Sequence, residues 1–224
     1  MMKKDKKIIL FGTGSFAEVA FCYFGEDSRY EVVAFTADDK YCSSETVMNL
    51  PLVPFSELEK KYPPEKFEMH IAVAYNKLNQ ARHDAYFRAK EKGYILANYI
   101  HSGVKTWKNN QFGDNIFIFE DNTIQPFVEF GSNIVLWSGN HIGHHSKIGN
   151  HTFLTSHVVV SGFVNIGEFC FFGVNATIRD SIDIADKTII GAGALILKST
   201  EEAQVYIGPK TEAIPKKSSD IKRF

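Results

Sequence analysis

The chain has 224 residues, 44% hydrophobic and 23% charged, a balance that excludes a disordered polymer and fits one large or two small folded domains. Its 25 Lys and Arg stand against 26 Asp and Glu with no basic face, which argues against a counterion-release grip on nucleic acid. Three scattered cysteines, Cys22, Cys42 and Cys170, have no metal-ligand spacing, so a reduced, cytoplasmic protein is expected.

The basic start, residues 1–7, is followed by a short apolar run before Gly12, too brief for a signal peptide or a membrane span. That run, 7–11, is rich in β-formers and predicts a strand. Gly12-Thr13-Gly14-Ser15-Phe16-Ala17 then predicts a tight glycine turn into a helix over 18–24. A second strand, 30–35, ends near Asp38 and Asp39, where a doubly wound unit offers a carboxylate to a ribose or base. A third apolar run, 69–74, leads through Tyr75-Asn76-Lys77 into a helix over 80–92, and 95–99 reads as a fourth strand. Gly12 and Gly14 would let a ligand approach the backbone, and the N–H groups of Ser15 and the residues after it would face a phosphate. Too few strands precede the next region for a complete dinucleotide domain. A half-sized, Rossmann-like nucleotide-binding unit over 1–98 is the expectation.

From Phe112 to Ile196 every sixth residue is large and apolar. The positions two residues earlier, such as Val128, Ser146, Val158 and Ala176, are small or aliphatic, which gives two inward positions per hexad. Neither 3.6 nor 2 generates this spacing. Gly or Ala follows the apolar residue at Phe112, Phe130, Ile148, Ile166 and Ile184, eighteen residues apart. Three hexads therefore make one turn of a triangular parallel β-solenoid, with small residues at the corners expected to take up unusual dihedrals.

This repeat resembles the hexapeptide-repeat family of left-handed β-helices, whose members are mostly acetyl-CoA-dependent acyltransferases and commonly trimers. The GTGSFA turn, Ile100-His101, the segment from Gly143 to Gly149 and Ile190-Gly191-Ala192-Gly193-Ala194 are similar to the sialic-acid O-acetyltransferase type of sugar acyltransferase. That group includes bacterial N-acetyltransferases for the nucleotide-linked amino sugars of bacillosamine and perosamine. The resemblance implies a small Rossmann-like domain, 1–98, holding a UDP-, GDP- or dTDP-linked sugar through Gly12, Gly14, Ser15, Asp38, Asp39 and Asn76. It implies a left-handed β-helix, 99–224, with acetyl-CoA lying between neighbouring subunits of a homotrimer, without metal and without membrane insertion. The setting it implies is surface polysaccharide assembly, O-antigen or lipopolysaccharide.

Five histidines, His141, His144, His145, His151 and His157, fall in one stretch. Corner histidines of a solenoid are ordinarily solvated or hydrogen-bonded, and His151 is expected to be one of these. Gly143-His144-His145 occupies the step where the family places its catalytic base, making His144 the candidate base. His145 stands where the family usually has an acid, and eighteen residues to either side of His144 lie Pro126 and Gly162. Gly162 should stack beside the base and offer its N–H to an oxyanion. His157 and Asn175 form a polar column with Gly139. With Gly173, Gly191 and Gly193 as a side-chain-free track and Lys198 near the phosphates, they are the residues the resemblance assigns to CoA. An amine acceptor is expected over a hydroxyl, because an amine needs only modest base assistance.

Competing readings are a sugar O-acetyltransferase, a gamma-type carbonic anhydrase using His144, His145 and His157 as metal ligands, and a non-enzymatic solenoid binding module.

Overall fold

The computed structural model describes residues 3–221. The N-terminal part is a five-stranded sheet in the order β3-β4-β2-β1-β5, with β1 Lys6–Phe11, β2 Tyr30–Ala37, β3 Thr46–Val47, β4 Leu50–Pro54 and β5 Glu68–Ile71. All neighbours are parallel except the β3–β4 pair. Ile8 to Phe11 are buried because both faces of β1 are covered, which is why the strand reads as a continuous apolar run rather than an alternating one. Helix α1, Ser15–Glu26, starts directly from the glycine turn and buries Phe16, Ala17, Ala20 and Phe24. The short α2, Leu58–Lys61, and α3, Gln80–Glu91, pack Leu58, Ala85, Tyr86 and Ala89 with Ile9, Met69 and Ile71.

Two expectations for this region are corrected. Residues 95–99 do not form a strand of this sheet: Leu96 makes a single bridge to Met69, and Tyr99–Ile100 pairs instead with Phe117–Ile118 as the first rung of the solenoid. The fourth parallel strand is Leu50–Pro54. Its prolines hide it in the sequence, but they sit near its ends and leave Leu52 and Val53 to pair with Phe35 and Thr36.

The solenoid has three parallel sheets built from two-residue strands, a left-handed β-helix of triangular section. Along one coil, Glu129–Phe130 lies on face one, Val135–Leu136 on face two and His141–Ile142 on face three. Each pairs with the residue eighteen further on, as in Phe130↔Ile148, Leu136↔Leu154 and Ile142↔Val160. Each expected six-residue position from Ile118 to Ile196 is buried, as are the positions two before it, Val128, Ser146, Thr152, Val158, Val164, Ala176, Thr188 and Ala194. Stacking coils buries a continuous aliphatic core that no single coil holds alone.

The corners differ from the expectation. The left-handed backbone falls three residues before the apolar position, mostly on Asn, Asp, His and Phe: Asn115, Asp121, Phe127, Asn133, His145, His151, His157, Phe163, Phe169 and Asn175 all have φ between 52° and 65°. The glycines after the apolar residue serve coil stacking instead. A Cβ on Gly113 would lie 2.5 Å from the Gly131 carbonyl oxygen, and one on Gly149 would lie 2.4 Å from that of Gly167.

Outward residues differ by face for a physical reason. Face one carries Gln111, Glu129, Lys147, Asn165 and Asp183, a polar ladder. Face two carries Tyr99, Phe117, Val135, Phe153 and Phe171, because the N-terminal unit covers it. Phe16, Phe24, Phe117, Phe119 and Phe153 share one buried cluster with Ile8 and Leu10. Face three, with Thr123, His141, Val159, Thr177 and Leu195, is mixed, and Val159 and Leu195 are exposed.

Candidate functional site

The sequence-derived candidates fall into three places. The first is the carboxyl edge of the N-terminal sheet, where the loop after β1 carries Gly12 to Ser15, the loop after β2 carries Asp38 and Asp39, and the loop after β5 carries Asn76. Gly12 has φ +142°, and a Cβ there would meet the Ala72 carbonyl oxygen at 2.6 Å, so this glycine is required by the packing of β1 on the loop after β5. Gly14 differs: it is the N-cap of α1, and a Cβ there meets nothing within 4 Å. No side chain caps α1, so its first N–H groups are available to an anion. Asp38 is held by Arg88 of α3, whose Nη1 donates to its Oδ1 at 2.5 Å, and Asp39 accepts the Ser56 hydroxyl at 2.9 Å. Arg88 itself lies 5.6 Å from the Phe11 ring centroid and 5.4 Å from that of Phe55. Asn76 is exposed on a loop that ends in three consecutive left-handed residues, Lys77, Leu78 and Asn79.

Arg82, which sequence reasoning did not single out, holds this loop to the solenoid. It is fully buried and donates to the carbonyl oxygens of Ala74, Asn133 and His151 at 3.3, 3.3 and 2.9 Å and to Asn79 Oδ1 at 3.1 Å. Asn79 in turn donates to the Cys170 carbonyl at 3.2 Å. Burial pulls the Arg82 guanidinium down to about 9, and carbonyl oxygens rather than a carboxylate compensate its charge.

The second place is the corner between faces three and one. The His144 ring lies over Gly162 of the next coil: a Cβ on Gly162 would be 2.8 Å from His144 Cε1 and 3.1 Å from Nε2. Glycine is thus what makes room for this imidazole. Among the described residues no acceptor receives the Gly162 N–H. The His144 N–H donates to Gln125 Oε1 at 2.9 Å, and its Nδ1 lies 3.2 Å from Nδ1 of His145. Both rings are exposed. Along the same corner, Lys198 follows three coils beyond His144, away from the track of Gly173, Gly191 and Gly193.

The third place is the corner between faces two and three. A Cβ on Gly139 would lie 2.4 Å from His157 Nδ1, so these two stack as expected, with Asn175 one coil on. Gly193 sits at the left-handed position with φ +66° and open space around it, while a Cβ on Gly173 would strike the Ala192 nitrogen at 2.4 Å. His157 is therefore on a different corner from His144 and His145, and among the described residues no group of three His, Cys, Asp or Glu could hold a metal ion. The two candidate corners flank face three.

His151 lies on the remaining corner, between faces one and two, beneath α3. It is 5% exposed, hydrogen-bonded through Nδ1 to Asn133 at 2.8 Å, and pushed down to about 4 by desolvation. An open groove of about 450 Å³ beside it is lined by Tyr86, Phe87, Lys90 and Asn150.

A scan of the sequence against protein-family models finds no match, and no curated protein matches it. Solved structures share the fold. PerB from Caulobacter crescentus, in complex with CoA and GDP-perosamine, aligns at TM-score 0.80 with 22% identity over 90% of this chain and 94% of its own. The acetyltransferase domain of PglB from Neisseria gonorrhoeae aligns at 0.79 with 20% identity over 91% and 97%. WeeI from Acinetobacter baumannii aligns at 0.60 with 18% identity over 91% and 97%.

Proposed function

We propose that this chain is an acyltransferase that moves an acetyl group from acetyl-CoA to the amino group of a nucleotide-linked amino sugar. The observation that carries the reading is the pairing of an uncapped α1 N-terminus behind a glycine turn with a His144 ring seated on Gly162, whose N–H is free. The solved structures of the same fold support it, since PerB was captured with CoA and a nucleotide-linked amino sugar.

In this reading residues 1–98 hold the UDP, GDP or dTDP half of the substrate through the α1 N-terminus, Asp38, Asp39 and Asn76. The amine attacks the thioester carbonyl and its proton passes to His144 Nε2. The oxyanion is held by the Gly162 N–H until the carbonyl re-forms, and CoA leaves as the thiol after taking the proton from His144. His157, Asn175, Gly173, Gly191 and Gly193 border the path for CoA on one side of face three, and Lys198 on the other.

The working unit is a homotrimer. The N-terminal unit covers face two, whereas His144 occupies the corner across the coil from that face, so a site using both Gly14 and His144 is completed by a second copy. Face three, bare and partly apolar, is the surface that copy would use. The substrate would be a cytoplasmic nucleotide sugar destined for surface polysaccharide. No helix among the described residues is long and apolar enough to cross a membrane.

The test is a thermal-shift panel of UDP-, GDP- and dTDP-linked 4-amino and all-hydroxyl sugars, each with and without acetyl-CoA, run beside sedimentation. A ligand at one hundred times its Kd stabilises the native state by about 2.7 kcal/mol. The expected result is a trimer stabilised by acetyl-CoA and by one class of 4-amino nucleotide sugar. Stabilisation by the hydroxyl sugar alone would make the chain an O-acetyltransferase, and a monomer indifferent to acetyl-CoA would overturn the reading.

A further inference from the structure

Successive coils of a parallel solenoid are one strand spacing apart, about 4.7–4.9 Å, close to the distance at which flat rings stack. Planar side chains at one hexad position therefore form a ladder if they leave the backbone in the same direction. Phe127, His145 and Phe163 satisfy this at the His144 corner. They occupy the left-handed position of three consecutive coils with φ 65°, 58° and 56°. The His145 ring stacks on Phe127 at 4.7 Å and 24° and on Phe163 at 4.9 Å and 13°.

Phenylalanine is an uncomfortable choice there. A bulky residue at positive φ is uncommon, and the corner between faces two and three uses Asp121, Gly139, His157, Asn175 and Gly193 at the equivalent positions, with no phenylalanine. Both phenylalanines are also 52% exposed, so burial within the chain does not explain them. Backbone strain combined with an exposed apolar ring marks a position held for another purpose. What the two rings hold is His145, whose Nδ1 lies 3.2 Å from His144 Nδ1, while Phe163 also meets the His144 ring edge-on at 5.0 Å and 86°.

We infer that Phe127 and Phe163 are positioning residues: they clamp the His145 ring so that its Nδ1 accepts the Nδ1–H of His144, leaving His144 Nε2 with a free lone pair beside Gly162. The inference rests on His144 being the base and deepens that reading. Two facing Nδ1 atoms require one donor and one acceptor. The direction stated here is the one that frees Nε2 to take a proton, whereas the opposite direction would put a hydrogen on Nε2. An unclamped His145 would rotate in solvent and release His144 to both tautomers.

The test is long-range ¹H–¹⁵N NMR of the full chain without substrates, assigned with His144→Gln and His145→Gln, beside steady-state rates. Asn tolerates positive φ, so Phe127→Asn/Phe163→Asn removes the clamp without straining the corner. Wild type is expected to show His144 in the Nδ1–H form and His145 in the Nε2–H form. The double Asn variant is expected to show mixed tautomers, with kcat down about 10- to 100-fold at unchanged KM for acetyl-CoA. Phe127→Tyr and Phe163→Tyr, which keep the flat ring, restore both. His144 carrying its proton on Nε2 in wild type, or an unchanged tautomer and kcat in the double Asn variant, would overturn the inference. The expected tautomers, lost in the double variant of a protein without transferase activity, would uphold the clamp and overturn the proposed reaction instead.

Discussion

Two corners of the solenoid carry the same pair of side chains at the same hexad positions and treat them in opposite ways. Between faces one and two, His151 lies on Phe169 at 4.8 Å and 35°; between faces three and one, His145 lies on Phe163 at 4.9 Å and 13°. The first pair is roofed by α3, with His83 4.7 Å from His151 and Tyr86 5.7 Å away, and its histidine is neutral and hydrogen-bonded to Asn133. The second pair has no roof within the chain, and its histidine faces His144. One repeat, read without its surroundings, gives both corners equal standing. What separates the packing histidine from the candidate one is whether the rest of the chain covers it.

The largest effect that would break this contrast is removal of Arg82, which fastens α3 over the covered corner. Arg82→Ala leaves the buried carbonyls of Asn133 and His151 without their donor, and should cost about 3 kcal/mol in denaturant unfolding. An equal change at the open corner, His145→Ala, should leave the unfolding midpoint nearly in place. Equal losses from the two would mean that the corners are not distinct.

An effect of comparable size is the pH response of the covered corner. His151 is lowered to about 4 from an unfolded value near 6.5, so between those limits the unfolded chain binds more protons. Its contribution is intact above about pH 6.5 and is lost as pH falls towards 4, by up to about 3 kcal/mol. His70, buried in the N-terminal unit with Nδ1 on the Ala97 carbonyl at 2.9 Å, is lowered to about 4 in the same way and titrates in parallel. Unfolding free energies measured from pH 7 to 4 should fall less steeply for His151→Asn than for wild type. Parallel slopes would show that the buried imidazole is not what the acid attacks.

Most of the covered region was invisible in the sequence. The solenoid was legible because each hexad repeats one rule, so the aliphatic core, the eighteen-residue register and the meeting of His144 with Gly162 all followed from counting. Counting located the apolar positions but not the strained ones, since the glycines that stand out are there for coil stacking while the left-handed residues are Asn, His and Phe. The same arithmetic applied to His145 reaches Phe127 and Phe163. In the N-terminal unit no period connects the parts. Arg88 to Asp38 and Arg82 to the solenoid carbonyls are contacts between residues roughly fifty or more apart in sequence, and only the folded chain brings them together.

A smaller contrast separates the two glycines of the first turn. Gly14→Val adds a side chain to open space and should raise the KM for the nucleotide sugar about tenfold, at a stability cost of no more than about 1 kcal/mol. Gly12→Ala strikes the Ala72 carbonyl and should lower the melting temperature instead. Reversed outcomes would move the proposed phosphate contact from Gly14 to Gly12.

The proposed chemistry is tested most directly by thiol release from acetyl-CoA with a 4-amino nucleotide sugar as acceptor, wild type against His144→Ala, with binding of acetyl-CoA followed separately. A general base contributes about 10²- to 10⁴-fold. A loss of kcat in that range is expected, with acetyl-CoA affinity and melting temperature unchanged because the ring is exposed. Turnover of His144→Ala at the wild-type rate would contradict the proposed chemistry.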